Sequence, residues 1–301
     1  MIYFIVAVSL LLGSSSLVRA QGLQINEYKC DGPTQGMIVN GSVAQPGQFP
    51  WMVYLEIRSI ILGSACGGTI ITKRHILTAA HCTHSPYIPG IPARRIIAYY
   101  GNTNWRLGKS VMVTKMIRHP NYRPGMGFKN DIAILVVDRP FQYGINVRPA
   151  CLSTTPFNIL NSQTEVAGWG RLTEGGSPAQ HLQYTKVTVV PDEMCSTFYR
   201  ELYNKDIMYC TYQKGTSSCH GDSGGAAISR LVGGPDLQVG IVSFGGGCAR
   251  DKTPIVFTRV DAFAPWIKQV VSTSLKAYPG EGPLQLPSYN VPQWPFIFPF
   301  P

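Results

Sequence analysis

The chain has 301 residues, of which 45% are apolar and only 14% charged, with 31 Gly, 23 Pro and eight Cys. That length suits one large all-β domain or two small ones, and the density of turn formers excludes a helical bundle and a disordered chain. The formal net charge is +10, a single-sign excess that bears on partners rather than on fold.

Taken in chain order, Ile2 to Leu12 is a mostly apolar run, broken by Gly13-Ser14-Ser15-Ser16 and followed by Val18-Arg19-Ala20. Residues 1–20 therefore read as a secretory signal ending in a small residue, although no Lys or Arg precedes the apolar run. The competing reading is an uncleaved anchor, but the run is shorter than the roughly 20 residues that span a bilayer. No later segment is apolar enough to span, so no membrane partner is expected. Cysteines in a secreted, extracellular chain imply disulfides, and the even count leaves none over. Zinc is the alternative, but the sequence has no CxxC pair.

Short apolar stretches broken by Gly, Pro and Asn follow: Trp51–Ile57, Gly68–Leu77, Ser110–Ile117, Ile132–Val137 and Val239–Phe244. Such spacing predicts a barrel or a sandwich. Pro265–Val271 reads as a closing helix with Pro at its start. Residues 273–301 hold seven prolines among six aromatics. They read as extended polyproline chain, either a loose tail or an aromatic strap that docks.

Three segments carry chemistry: Leu77-Thr78-Ala79-Ala80-His81-Cys82, Asn130-Asp131-Ile132-Ala133-Ile134-Leu135 and Gly221-Asp222-Ser223-Gly224-Gly225. A hydroxyl is a poor nucleophile near neutral pH. It needs a base to take its proton, and the base needs an acid to hold its tautomer. His, Asp and Ser in these contexts and in this order resemble the chymotrypsin-like serine proteases, over about Ile38 to Val271.

The resemblance implies two six-stranded antiparallel β-barrels with a C-terminal helix, residues 38–272 forming the protease domain. Residues 21–37 become a propeptide, cleaved at Met37–Ile38 so that the Ile38 amine pairs with Asp222. Met37 stands where the family usually has Arg or Lys, so the activating protease would be one that prefers large apolar residues. Ser223 is the expected nucleophile, His81 the base and Asp131 its orienting acid, with the Gly221 and Ser223 N–H groups as oxyanion hole. Neither cofactor nor metal is called for. The resemblance selects the bridges Cys66–Cys82, Cys195–Cys210, Cys219–Cys248 and Cys30–Cys151. A further bridge found in many relatives would join Thr164 and Ser229, and both partners are absent together.

Specificity is expected to be non-tryptic. Ser217 stands at the pocket floor where trypsin-like members carry Asp, so a substrate Lys or Arg would lack its counter-charge. Ser243-Phe244-Gly245 and Pro254-Ile255-Val256-Phe257 form the walls, with His220 at the mouth. Family members often have Gly where Ile255 stands. Its branched side chain should narrow the pocket to small or medium apolar residues, elastase-like; if it turns away, a deep chymotrypsin-like slot remains. Met37 would suit such a pocket, which would allow self-activation. Ala226 replaces a usual Pro.

Residues 83–130 contain no Asp or Glu but eight Lys or Arg, so no calcium is expected in the loop where some relatives bind it. The basic surface suits acidic protein or peptide substrates or a sulfated polysaccharide, or is merely a soluble face. Secretion argues against nucleic acid. Asn40-Gly41-Ser42 is a glycosylation sequon two residues past Ile38. The rival to a secreted zymogen is a secreted non-catalytic binding protein that keeps the triad and acts through its basic face or tail.

Overall fold

The computed structural model describes residues 42–59, 63–85, 90–156, 158–230 and 235–275. In chain order the strands are β1 (Ser42–Val43), β2 (Met52–Arg58), β3 (Gly63–Thr72), β4 (His75–Thr78), β5 (Arg95–Tyr100), β6 (Lys109–Arg118), β7 (Ala133–Val137), β8 (Cys151–Leu152), β9 (Gln163–Gly168), β10 (Gln183–Val190), β11 (Met208–Tyr212), β12 (Ala226–Arg230), β13 (Asp236–Gly245) and β14 (Ile255–Arg259). Two α-helices accompany them, α1 (Asp192–Tyr199) and α2 (Ala264–Leu275).

Strands β2-β3-β4-β7-β6-β5 close into one antiparallel barrel. Strands β9-β10-β11-β14-β13-β12 close into a second, because β9 pairs with both β10 and β12. The predicted fold class is thus the observed one. Closure removes the sheet edges that short strands would otherwise expose. β1 pairs with β10, and β8 runs parallel to β13.

The stretch Gly68–Leu77, read from sequence as one strand, is a hairpin. The chain turns at Lys73-Arg74, where the Arg74 N–H donates to Thr72 Oγ1 at 3.1 Å. Both arms are buried on both faces, from Cys66 to Thr72 and throughout β4, so alternation could not reveal the turn.

A core inside the first barrel is built on Val53, Leu55, Ile70, Ile76, Leu77, Ile134 and Leu135. Phe263, Ile267 and Val271 of the C-terminal segment join that core, with Trp266 and Val270 packed beside them. These positions fall on one stripe of a 3.6-residue helix. The helix that ends the second barrel therefore packs back on the first. It runs to Leu275, beyond the predicted Val271, and its last turn is held by hydroxyls: Ser272 and Thr273 donate to carbonyls four residues back, and Ser274 bonds buried His75 on β4 at 2.7 Å. A second cluster, including Phe49, Trp51, Met52, Trp169, Tyr184 and Ile228, takes residues from both barrels and forms the seam between them.

The expected bridges Cys66–Cys82, Cys195–Cys210 and Cys219–Cys248 are present. Cys151 is also disulfide-bonded; its expected partner Cys30 lies outside the described residues, as do Met37, Ile38 and Asn40. Thr164 and Ser229 are cross-strand partners on β9 and β12.

Candidate active site

β4 leads directly to His81. Its last residue, Thr78, is followed by one 3₁₀ turn over Ala80–Thr83, closed by Thr83 Oγ1 donating to the Ala80 carbonyl at 2.7 Å. The Cys66–Cys82 bridge ties that turn to β3. Asp131 opens the segment into β7, after Asn130, whose φ of 59° lies in the left-handed region that Asn tolerates better than most residues.

Asp131 is fully buried, and a buried carboxylate must find donors. It finds three. The His81 N–H reaches Oδ1 at 2.9 Å, His81 Nδ1–H reaches Oδ2 at 2.8 Å, and Ser243 Oγ donates to Oδ2 at 2.6 Å. Thr258 Oγ1 donates to the Asp131 carbonyl at 3.0 Å. Ser243 and Thr258 belong to β13 and β14, so the second barrel holds the acid that orients the first barrel's histidine. With Nδ1 facing a carboxylate, the proton sits there and Nε2 keeps its lone pair. Burial alone would lower the His81 pKa. The charge of Asp131 and its hydrogen bond outweigh burial and hold it above the usual imidazole value.

Ser223 sits on a tight turn between β11 and β12. Its carbonyl accepts from Gly67 N–H at 2.7 Å, and Gly224 N–H donates to the Val242 carbonyl at 2.8 Å. Gly224 has φ 80°, and a Cβ there would lie 2.2 Å from Thr78 Oγ1, so only glycine lets the turn approach β4. Gly221 has φ 101° and is backed by Gly170. Among the described residues Ser223 Oγ has no hydrogen-bond partner; it faces the same cleft as His81, about 1070 Å³ in volume, together with His220, Gly221 and Phe128.

Asp222 points away from that cleft. Its carboxylate accepts the Gly170 and Cys219 N–H groups, each at 2.8 Å. No cation among the described residues pairs with it, and burial pushes its pKa up to about 6 against those two hydrogen bonds. It opens on a second cavity of about 530 Å³ lined by Gly168, Gly170 and Ser218.

The Ser217 hydroxyl donates to the Ser218 carbonyl at 2.8 Å and accepts the Ala249 N–H at 2.6 Å. Ile255 lies opposite Gly245 in the β13–β14 register. Its Cδ1 is 2.3 Å from where a Cβ on Gly245 would stand, and it is only 5% exposed. A small cavity lies beside Ser217 and Ile255, lined also by Val187, Thr211 and Arg250. The Ile255 side chain therefore lies over Gly245, between the two segments that the resemblance reads as pocket walls. Ser243, read from sequence as part of the pocket wall, donates its hydroxyl to Asp131.

An aromatic wall went unread in the sequence. Phe128 meets the His81 ring edge-on at 5.7 Å, stacks on Phe244 at 4.7 Å, and Phe244 meets Tyr199 at 5.1 Å. Only the fold brings these together. Among the described residues, Cys66, His81 and Cys82 are the one group of His, Cys, Asp or Glu close enough to hold a metal, and both sulfurs are joined in a disulfide, so no thiolate is left to bind one.

Two closed barrels with a buried carboxylate–imidazole pair and a serine turn at their seam are the architecture of a serine protease. The trypsin family model matches residues 38–267. Stubble, a serine proteinase of Drosophila melanogaster, is 32% identical over 272 residues, covering 86% of this chain and 34% of that protein. A venom serine protease of Polistes dominula is 32% identical, covering 79% of this chain and 87% of that one. Human serine protease 56 is 31% identical, covering 81% of this chain and 40% of that protein. The chain spans about a third of the first of these relatives and most of the second. It belongs to the trypsin family.

Proposed function

We propose that the chain is a secreted serine endopeptidase made as a zymogen, hydrolysing peptide bonds through an acyl-enzyme. The observation that carries this is the Asp131 carboxylate, bonded by His81 and Ser243 beneath a cleft that also holds Ser223. His81 takes the Ser223 proton as Oγ attacks the carbonyl, then gives it to the leaving amine, while Asp131 stabilises the imidazolium. The Gly221 and Ser223 N–H groups hold the oxyanion.

Residues 1–20 serve as signal peptide, 21–37 as propeptide and 273–301 as a tail. Cleavage at Met37–Ile38 supplies an ammonium for the Asp222 carboxylate, which has no cation partner among the described residues. That pairing fixes the turn from Cys219 to Ser223, and with it the oxyanion hole. Glycosylation at Asn40 would block this step.

The enzyme cleaves after small apolar residues, because the Ile255 side chain closes on Gly245. Met37 is too long for such a pocket. Self-activation is therefore disfavoured, and the activating cut falls to a second protease with a deep apolar pocket. Among the described residues no helix is long and apolar enough to cross a membrane. The test is a peptide library offered to chain cut at Met37–Ile38, with Ser223→Ala as control. Cleavage after Ala or Val that the control lacks supports the reading; a correctly cut, folded chain that cleaves nothing overturns it.

A further inference from the structure

The positive charge is segregated. The chain holds 26 Lys and Arg against 16 Asp and Glu; residues 42–150, the first barrel, hold thirteen of the basic residues and three of the acidic. The net charge of that barrel, +10, equals the net charge of the whole chain. Of its three acids, Asp131 is buried in the site, Glu56 is bonded to Arg58 and Tyr99, and Asp138 accepts the Met112 N–H.

The cations are placed as well as numerous. In the β2–β5 register Arg58 stands directly opposite Arg95, and the Arg94 N–H donates to the Arg58 carbonyl at 2.8 Å. All three are exposed. Like charges directly opposed across a sheet work against it. Arg58 is relieved by Glu56. Among the described residues, the Arg95 guanidinium has one acceptor, the Met112 thioether at 3.2 Å, and sulfur is a weak one. Exposed Lys115 follows the β6 bulge at this same end. At the far end of β5, Arg139 donates to the Ser110 carbonyl of β6, and exposed Arg106 lies on the turn just before that strand. Five strand residues separate the two ends, about 17 Å; the acid that faces out between them is Glu56 of β2, which Arg58 and Tyr99 bind. Arg58, Arg94, Arg95, Arg106 and Lys115 line none of the described cavities, while Glu56 on the same face borders the active-site cleft.

We propose that this outer face of β2, β5 and β6 is a docking strip for a linear sulfated polysaccharide. A strip with cations at each end, none of them lining a described cavity, offers charge and reach, the terms on which a repeating polyanion binds. It offers no hollow for the side chains by which an acidic peptide is recognised. A sulfate over Arg58 and Arg95 replaces repulsion by attraction, so binding stabilises the barrel. This inference is independent of the catalytic reading, and the inactive chain serves for the test.

The experiment uses full-length Ser223→Ala chain with heparin and, separately, polyglutamate, at about 0.15 M salt where distant surface charges are screened. The Arg58→Ser/Arg95→Ser double variant is compared with Lys205→Ser/Lys252→Ser, which removes equal charge from exposed positions of the second half. Heparin is expected to bind and to raise Tm by several degrees. The arginine double variant should weaken binding at least tenfold and lose the Tm rise while its own ligand-free Tm stays level or climbs, whereas the lysine control changes binding less than twofold. Equal losses in both variants would mean an unlocalised field and overturn the proposal. So would absence of heparin binding, or polyglutamate binding as tightly at the arginines, which would assign the strip to an acidic protein segment.

Discussion

Truncating Ile255 should open the specificity pocket, and the structure sets the size of the effect. Ile255→Ala removes three carbons from a side chain that reaches across to Gly245. A substrate residue that reaches three carbons deeper can refill that space, at about 0.8 kcal/mol per buried methylene, or about 2.4 kcal/mol in all. At about 1.4 kcal/mol per tenfold in rate, kcat/KM for Leu or Met before the cut should rise about 50-fold relative to Ala. The same truncation in a packed strand costs roughly 2–5 kcal/mol of stability, so the readout is the ratio of kcat/KM values within each variant, which unfolding does not alter. Matched peptides carrying Ala, Val, Leu, Met or Phe before the cut provide the assay. The variant should also process its own Met37–Ile38 bond, offered as Ser223→Ala proenzyme, where the parent enzyme does not. A parent enzyme that already prefers Leu or Phe over Ala, with a ratio that moves less than twofold on truncation, would refute the reasoning.

The acid and the histidine should respond differently. Asp131→Asn removes the carboxylate that fixes the His81 tautomer, and kcat should fall by about 10⁴ with KM little changed, measured by steady-state kinetics. Activity should fall with decreasing pH through a midpoint above 6.5, since Asp131 holds the His81 pKa up. Two buried groups act on stability with opposite sign. The pKa of Asp222 is raised by burial to about 6, so in the uncut chain it contributes stability present below the unfolded value and lost as pH rises through about 6. His75, whose ring nitrogens meet Thr72 and Ser274, is lowered by burial to about 4, so its contribution is present above 6.5 and lost as pH falls through about 4. Each amounts to about 3 kcal/mol, and they largely cancel between pH 4 and 6. Relative to the unsubstituted uncut chain, thermal melts across that range should gain a rise with pH in Asp222→Asn and a fall with pH in His75→Phe; parallel curves would contradict both assignments. Ile267→Ala should cost roughly 2–5 kcal/mol in denaturant melts, since it detaches α2 from the first barrel's core.

The three chemical segments were legible because their signals are local: glycines on either side of Ser223, a small-residue approach to His81, an apolar strand after Asp131. The barrels were legible as short apolar stretches but not as strands with ends. β3 and β4 are buried on both faces, so their hairpin left no alternation to read. The partners of Asp131 were out of reach for another reason. Ser243 and Thr258 lie 112 and 127 residues away in sequence, and a buried serine on an apolar strand carries no mark of the carboxylate it serves. Ile255 was flagged by comparison with glycine at its position, but its contact with Gly245 depends on the β13–β14 register. The Phe128–Phe244–Tyr199 wall likewise exists only once a loop of the first barrel meets a strand of the second.

The central claim, a serine nucleophile switched on by a cut at Met37–Ile38, is tested most directly by stoichiometric labelling with a fluorophosphonate. Peptide mapping by mass spectrometry should find one adduct, on Ser223, in the cut chain and almost none in the uncut chain or after His81→Ala. A folded, cut chain that takes no label, or an uncut chain that labels as fast, would contradict the account.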